Sequence, residues 1–450
     1  MQSTVTTRII GTALFASLAM QAQQPQQRGS KFPPSYKIID LGTLPGGTFS
    51  QATAINNDGL VSGISTAADG TQHAVLWDKG QIKDLGTPGL GGPNSGAFAV
   101  NEGGQADLQA ESSTLDPHNE NFCAYGTGFT CLPALWQHGV LTPLPTLGGY
   151  NGTVGSINNR GEVAGMAEQN ILDLDCPSGA AVNGTGPQLF DFQAVIWGPR
   201  KGEIRQLSPL SGDSVGMAFS INDKGQVVGV SGSCANTTLP PFADGPHAVL
   251  WEKDGSVYDL GTLGGTVNPA LLAIGNVAFW INNAGQVTGA SVLPGNTNVH
   301  AFVWTRESGM QDLGTLPGDV NSAGLAMNNR GEVVGASVDG TLAAGTPNVF
   351  IWRDGVMSEL NKLTQPDSPF VHLLTPGTLN DAGEIPGFGI TSAGDIHAFL
   401  AIPRDRNATD AEHSTDDEEA AAIRDGHMKR PGDILSEDAH RLFHQRLGHR

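Results

Sequence analysis

Charge is scarce in this sequence. Asp, Glu, Lys and Arg make up 15% of its 450 residues, against roughly 25% in ordinary soluble domains. Positive charge is scarcest: 24 Lys and Arg stand against 44 Asp and Glu, a net charge of -20. A surface of that sign repels phosphate backbones and anionic lipid, which argues against nucleic acid and membrane surfaces as partners. Cysteine is rare too, with four copies at Cys123, Cys131, Cys176 and Cys234. None forms a CxxC pair, which argues against a structural zinc site. Beyond the N-terminus no apolar run is long enough to cross a bilayer. Catalytic signatures are absent as well: there is no GxSxG elbow, HExxH or P-loop.

The N-terminus reads "MQSTVTTRIIGTALFASLAMQAQQPQQ". Arg8 supplies a short positive region, Ile9 to Met20 an apolar one, and Ala22 a cleavage position. This is the pattern of a signal peptide over residues 1–22, followed by a Gln/Pro-rich spacer over 23–35. The expectation is a secreted or periplasmic chain, with no membrane attachment after cleavage. An even cysteine count in an exported protein favours disulfides.

What is abundant is glycine, 61 residues spread along the chain, and repetition. Four parts recur in fixed order. The first is a small-residue strand ending in Asn, at Asn56, Asn101, Asn158, Asn222, Asn282, Asn328 and Asn380. A turn follows, usually ending in Gly, as at Gly59, Gly161 and Gly225. An Asn-x-x-Gly link between apolar runs reads as a hairpin, because both residues tolerate positive φ. The second part is a return strand such as "LVSGIS" or "EVVGAS", whose Gly predicts close approach by neighbouring backbone. One copy carries Leu108 there instead. The third part is "HAVLW" or "HAFVW", and the fourth is "QIKDLG" or "GMQDLG".

Four short strands recurring every roughly 45 to 60 residues are the signature of propeller blades. The first strand, "YKIIDLG" from Tyr36, is a fourth part without its first three. The last, "HAFLAIP" from His397, is a third part without a fourth. Joining them makes every part occur seven times. The predicted fold is all-β: a seven-bladed β-propeller of four-stranded blades over 36–403, its last blade closed by the N-terminal strand. A β-solenoid is the alternative, but it would not need the offset ends. Residues 404–450 form a charged tail with His413, His427, His440, His444 and His449, read as disordered or partly helical.

The words "HAFVW", "DLGTLPG" and "NNRGEVVGAS" resemble the extracellular HAF-repeat family of bacterial exported proteins, over roughly residues 37 to 403. The resemblance implies an exported repeat domain. It brings no activity, cofactor or catalytic residue with it.

Function on such a scaffold sits on variable loops. The links between second and third parts are long in blades two, three and four: Glu111 to Thr130, Glu168 to Asp191 and Gly232 to Pro246. That face is the candidate binding surface. All four cysteines fall in those loops. Cys123 with Cys131 makes a local clasp and Cys176 with Cys234 a bridge between adjacent blades, among three pairings that sequence allows.

Asp116, His118, Asn119 and Glu120, with Asp173 and Asp175, offer oxygen donors of the kind Ca²⁺ prefers, though without EF-hand spacing, and a solvated polar loop explains them as well. Tyr125, Phe129, Tyr150, Phe190 and Phe242 offer rings for stacking on sugars or peptide, or for packing loops onto blades. The expected function is non-enzymatic: a monomeric binding or scaffold propeller presenting these loops to an extracellular carbohydrate polymer or protein, without a cofactor. The alternative is a carbohydrate-active hydrolase or lyase using Glu120, Asp173 and Asp175 on the same face. The recurring histidines His73, His247, His300 and His397 read as scaffold, hydrogen-bonded to a neighbouring strand or loop.

Overall fold

The structure is a computed structural model, which describes residues 35–87, 89–176, 187–234, 246–266, 275–340 and 346–404. The segment read as a signal peptide, the spacer up to residue 34, the tail beyond residue 404 and Phe242 lie outside the described residues.

Seven antiparallel sheets of four strands stand around a ring. Blade one is Ser50–Ile55, Val61–Thr66, Gln72–Asp78 and Gln81–Asp84, in that spatial order. Blades two to six repeat it. Blade seven is Phe370–Pro376, Ile385–Thr391 and Ile396–Arg404, and its fourth strand is Ser35–Asp40 from the other end of the chain. Ser35 lies opposite Arg404 and Asp40 opposite Phe399. The all-β, seven-bladed fold with that closure is therefore as the repeat count predicts. Closure leaves no sheet edge open around the ring's join.

Burial grades outward. Innermost strands such as Val215–Ile221 are buried at every residue, whereas outermost Gln81–Asp84 is mostly exposed. In every blade but the second, the second strand carries a Gly beside a bulge in the first. A Cβ on Gly63 would lie 2.1 Å from the Gln51 carbonyl oxygen and 2.7 Å from Trp77 Cζ3. Gly165 is in the same position against Thr153 and Trp197. In both blades the Gly makes room for backbone on one side and the Trp of the third strand on the other. Blade two accommodates Leu108, fully buried, in its place.

The histidines bond within their blades. His73 Nδ1 meets Asp84 at 2.9 Å and His300 Nδ1 meets Asp312 at 2.9 Å, each Asp belonging to the "DLG" of the fourth strand. His397 meets Asp40 at 3.0 Å, so the N-terminal strand supplies the same partner in the same place. His247 differs, bonding Asp213 at 3.1 Å.

The hairpin turns form, but for another reason than the one the residue types imply. Gly59, Gly161, Gly225, Gly285, Gly331 and Gly383 adopt positive φ, and none of the seven Asn does. The Asn residues serve the turn through their side chains instead, each Oδ1 accepting the backbone N–H four residues on and most also the one two residues on, as Asn56 does from Leu60 and Asp58.

Candidate functional site

Blades two and three rise above the others on the long-loop face. Their first two strands, Gly91–Val100 with Ala106–Leu115 and Gly148–Ile157 with Val163–Leu172, are ten residues each. The matching second strands of blades one, four, five and six have six.

Under this rim lies a layer of carboxylates. Asp116 is 6% exposed; its Oδ1 accepts from the backbone N–H of His118 and Glu120, and its Oδ2 from Asn151 Nδ2 at 2.9 Å. Glu120 is fully buried and accepts from the Leu189 N–H at 2.7 Å. Glu168 is fully buried, accepting from both the backbone and side chain of Asn151, from Tyr150 N–H and from Gln188. Burial, with Glu120 alongside, pushes the Glu168 carboxyl up to about 8. Burial raises Glu120 as well. Glu111, the Glu168 equivalent in blade two, is held by Asn94 at 2.7 Å and by Thr127, and burial raises it too.

Glu168 and Glu111 were not among the residues picked from sequence. The signal was there: the same strand position holds Thr66, Gly232, Val292, Val338 and Ile390 in the other blades. A carboxylate in only two copies of a repeat marks a local job. Here it ties the blade-two and blade-three loops to the rim.

The sign of the pH effect follows. An acid whose pKa is raised by folding adds stability below its ordinary value and loses it as pH climbs through the folded value. Wild-type stability should therefore fall between pH 4.5 and about 8 by on the order of a few kcal/mol. Glu168→Gln should flatten that slope, because the amide imitates the protonated acid. Urea midpoints at pH 5 and pH 8.5 check this, and an equally steep slope in the variant refutes it.

Above the carboxylates three rings meet. His118 lies 4.9 Å from Phe190 and 5.8 Å from Tyr150, and Tyr150 lies 5.9 Å from Phe190, all tilted or edge-on. His118 and Tyr150 are exposed, and Phe190 is buried beneath them. Tyr125 is not part of this group. It packs against Phe122 and the Cys123–Cys131 disulfide, in one apolar cluster with Phe219, Phe279 and Leu325 from the inner strands of blades four to six. The blade-two loop therefore shares an apolar cluster with inner-strand residues of blades four to six. Burial raises the Tyr125 phenol above its usual range.

The second disulfide is Cys176–Cys234, between the loops of blades three and four. Both pairings are those expected. Two disulfides with no free cysteine fit an oxidising compartment, and among the described residues no helix is long and apolar enough to cross a membrane. Asp173 lies beside Cys176 and Cys234, but their sulfurs are committed to each other. Asp173 also crowds Asp191. Burial, Asp173 and then Asp175 push the Asp191 carboxyl up to about 6. Of the carboxylates considered for Ca²⁺, Asp116 and Glu120 are turned into the loops, leaving Asp173 and exposed Asp175, now joined by Asp191; His118 and Asn119 are exposed on the blade-two loop.

The opposite face holds a second feature. The channel opens there into a cavity of about 130 Å³. Each inner-strand Asn donates from Nδ2 to the Asn carbonyl of the next blade, from Asn56 through Asn101, Asn158, Asn222, Asn282 and Asn328 to Asn380 and back to Asn56, at 3.0–3.2 Å. The following residues form a concentric outer ring. The backbone N–H of Asn57, Glu102, Asn159, Asp223, Asn283, Asn329 and Asp381 each donates to the next one's side-chain oxygen, at 2.8–3.2 Å. The local Asn-x-x-Gly pattern shows these Asn as turn residues and says nothing of the bonds between blades.

No family model matches the chain and no curated protein does. Several solved structures are similar at low identity. A Mycobacterium tuberculosis puromycin-hydrolyzing peptidase is 13% identical with a TM-score of 0.45, over 79% of this chain and 52% of the peptidase. This chain thus spans about half the peptidase's length. A putative gluconolactonase is 11% identical (TM-score 0.30; 61% of this chain, 81% of that one). The SapL1 lectin, solved with alpha methyl fucoside, is 12% identical (TM-score 0.32; 69% and 96%). Likenesses this distant carry nothing about ligand or reaction.

Proposed function

We propose that the chain is an exported, non-enzymatic binding propeller of the HAF-repeat type. Its contact surface is the raised rim of blades two and three, and its partner is an extracellular protein or polymer with an apolar face. One observation carries this reading. Leu115, Tyr150, Ile171, Leu172 and Leu174 are 63%, 41%, 56%, 58% and 91% exposed, and all stand on that rim or the loop it leads into. Exposed large apolar side chains gathered at one place mark interaction surfaces. Covering a single Leu is worth about 1.5–3 kcal/mol. The hydrolase alternative needs carboxylates open to substrate, and Glu120 and Glu168 are fully buried. It would rest on Asp173, Asp175 and Asp191.

Leu172→Asp with Leu174→Asp should lower binding to the best-retained polymer or protein, from a panel of cell-wall polymers, glycans and extracellular proteins, by at least tenfold. Asp173→Asn with Asp191→Asn should leave it unchanged. Turnover of any of these polymers that is lost in the Asp variants would favour the hydrolase instead.

A further inference from the structure

We propose that the cavity at the turn-face mouth of the channel binds a small primary ammonium ion with a short apolar tail. The site lies on the face opposite the blade-two and blade-three rim and is independent of the reading given for that rim.

The charge of the ligand follows from the wall. Three of the seven outer-ring positions are carboxylates, Glu102, Asp223 and Asp381, and no Lys, Arg or His lines the cavity. The hydrogen-bonding sense follows from the rings. Outer-ring amides already donate to carboxylates: Asn57 to Glu102, Asn159 and Asn283 to Asp223, Asn329 to Asp381. Inner-ring amides donate once across to the next blade. In six blades they donate again to a Gln or Glu four residues on, at 2.6–2.8 Å. Six inner-ring amides thus have both N–H groups committed, and each outer-ring amide turns one N–H to a carboxylate, whereas the carboxylate and carbonyl oxygens keep spare lone pairs. Such a mouth accepts hydrogen bonds and favours a cation that donates them.

The apolar part follows from a break in the repeat. Two residues before the inner Asn, six blades carry a small residue: Ala54, Ala99, Ser156, Ser220, Ala326 and Thr378. Blade five alone carries a large one, Trp280, half-buried between blades and lining the cavity. An indole in a wall that also holds carboxylates suits an alkylammonium, by contact with the tail and cation–π attraction to the head. A bare metal ion fits less well. The carboxylates belong to blades two, four and seven, spaced around the ring, and Ca²⁺ needs its oxygens within about 2.3–2.6 Å of one centre.

The test is calorimetric titration of the full folded protein with n-butylammonium chloride, with n-butanol and CaCl₂ as separate arms. The expected result is saturable binding of n-butylammonium and none of n-butanol. Affinity should drop at least tenfold in Asp223→Asn and in Trp280→Ala, and less in Trp280→Phe, which guards against a variant that fails to fold. Circular dichroism melts confirm folding of each. Absence of saturable n-butylammonium binding to the wild type overturns the proposal. So does binding of Ca²⁺ in its place, or affinity unchanged in folded Asp223→Asn and Trp280→Phe.

Discussion

Asn282→Asp is expected to destabilise the propeller by about 3–5 kcal/mol, although it changes one atom for another of the same size. Asn282 is 3% exposed. Its Oδ1 accepts from the Ala284 and Gln286 N–H groups, both at 3.0 Å. Its Nδ2 donates to Gln286 Oε1 at 2.8 Å and to the Asn328 carbonyl at 3.0 Å. Its own carbonyl accepts from Gly285 N–H and from Asn222 Nδ2. Two donors and two acceptors on one short side chain describe an amide and nothing else in the natural set. A carboxylate turns an oxygen toward the Asn328 carbonyl and buries a charge beside it. The Gln286 side chain can rotate to adapt; the backbone carbonyl cannot. Asn329→Ala, in the exposed outer ring, should cost about 1 kcal/mol or less. Urea unfolding of the two variants beside wild type measures both. If Asn282→Asp unfolds within 1 kcal/mol of wild type, the inner ring is not a source of stability.

Removing the first strand should have a still larger effect. A chain starting at Thr43 is expected to lose its cooperative, monomeric fold. Ser35–Asp40 pairs with the third strand of blade seven at six positions. Tyr36 and Ile38, 0% and 5% exposed, share one buried cluster with Leu360, Leu363, Phe399 and Ala401. Burying those two side chains is worth about 3–5 kcal/mol. Losing the strand also exposes an apolar edge, an invitation to pair with another copy. Light scattering after size exclusion should show aggregation, and the thermal transition should disappear. A synthetic peptide of residues 34–42 added in excess should restore both. A monomer that melts like the full chain without the peptide would refute the closure.

Local patterns carried much of this fold. The Gly inside the return strand "EVVGAS", the Gly that each turn requires, and the His of "HAFVW" with the Asp of "DLG" all lie within one blade. Repetition made them countable, and the count exposed the offset between Tyr36 and His397. The cysteine pairings were also within reach, because loops at equivalent places in adjacent blades must be neighbours. The candidate site was legible only in part. Asp116, His118, Glu120 and Tyr150 do converge, but the carboxylates point inward while the rings point out. The alternation of a strand cannot tell which way a long loop turns its side chains. Tyr125 turned inward, where its loop, stapled at Cys123 and Cys131, joins an apolar cluster with inner-strand residues of other blades.

Sequence alone determined the number of blades, the place of each hairpin and the strand that seals the ring. Those follow from short-range patterns whose meaning does not depend on distant residues. Only the tertiary structure decided that seven turn asparagines join into a closed circle, that Glu120 and Glu168 meet across two blades, and that Trp280 lines a cavity. Each depends on contacts between residues tens to hundreds apart, as from Asn56 to Asn101 or from Asn380 to Asn56. Such contacts are set by how the sheets stand beside one another, and no single repeat contains that information.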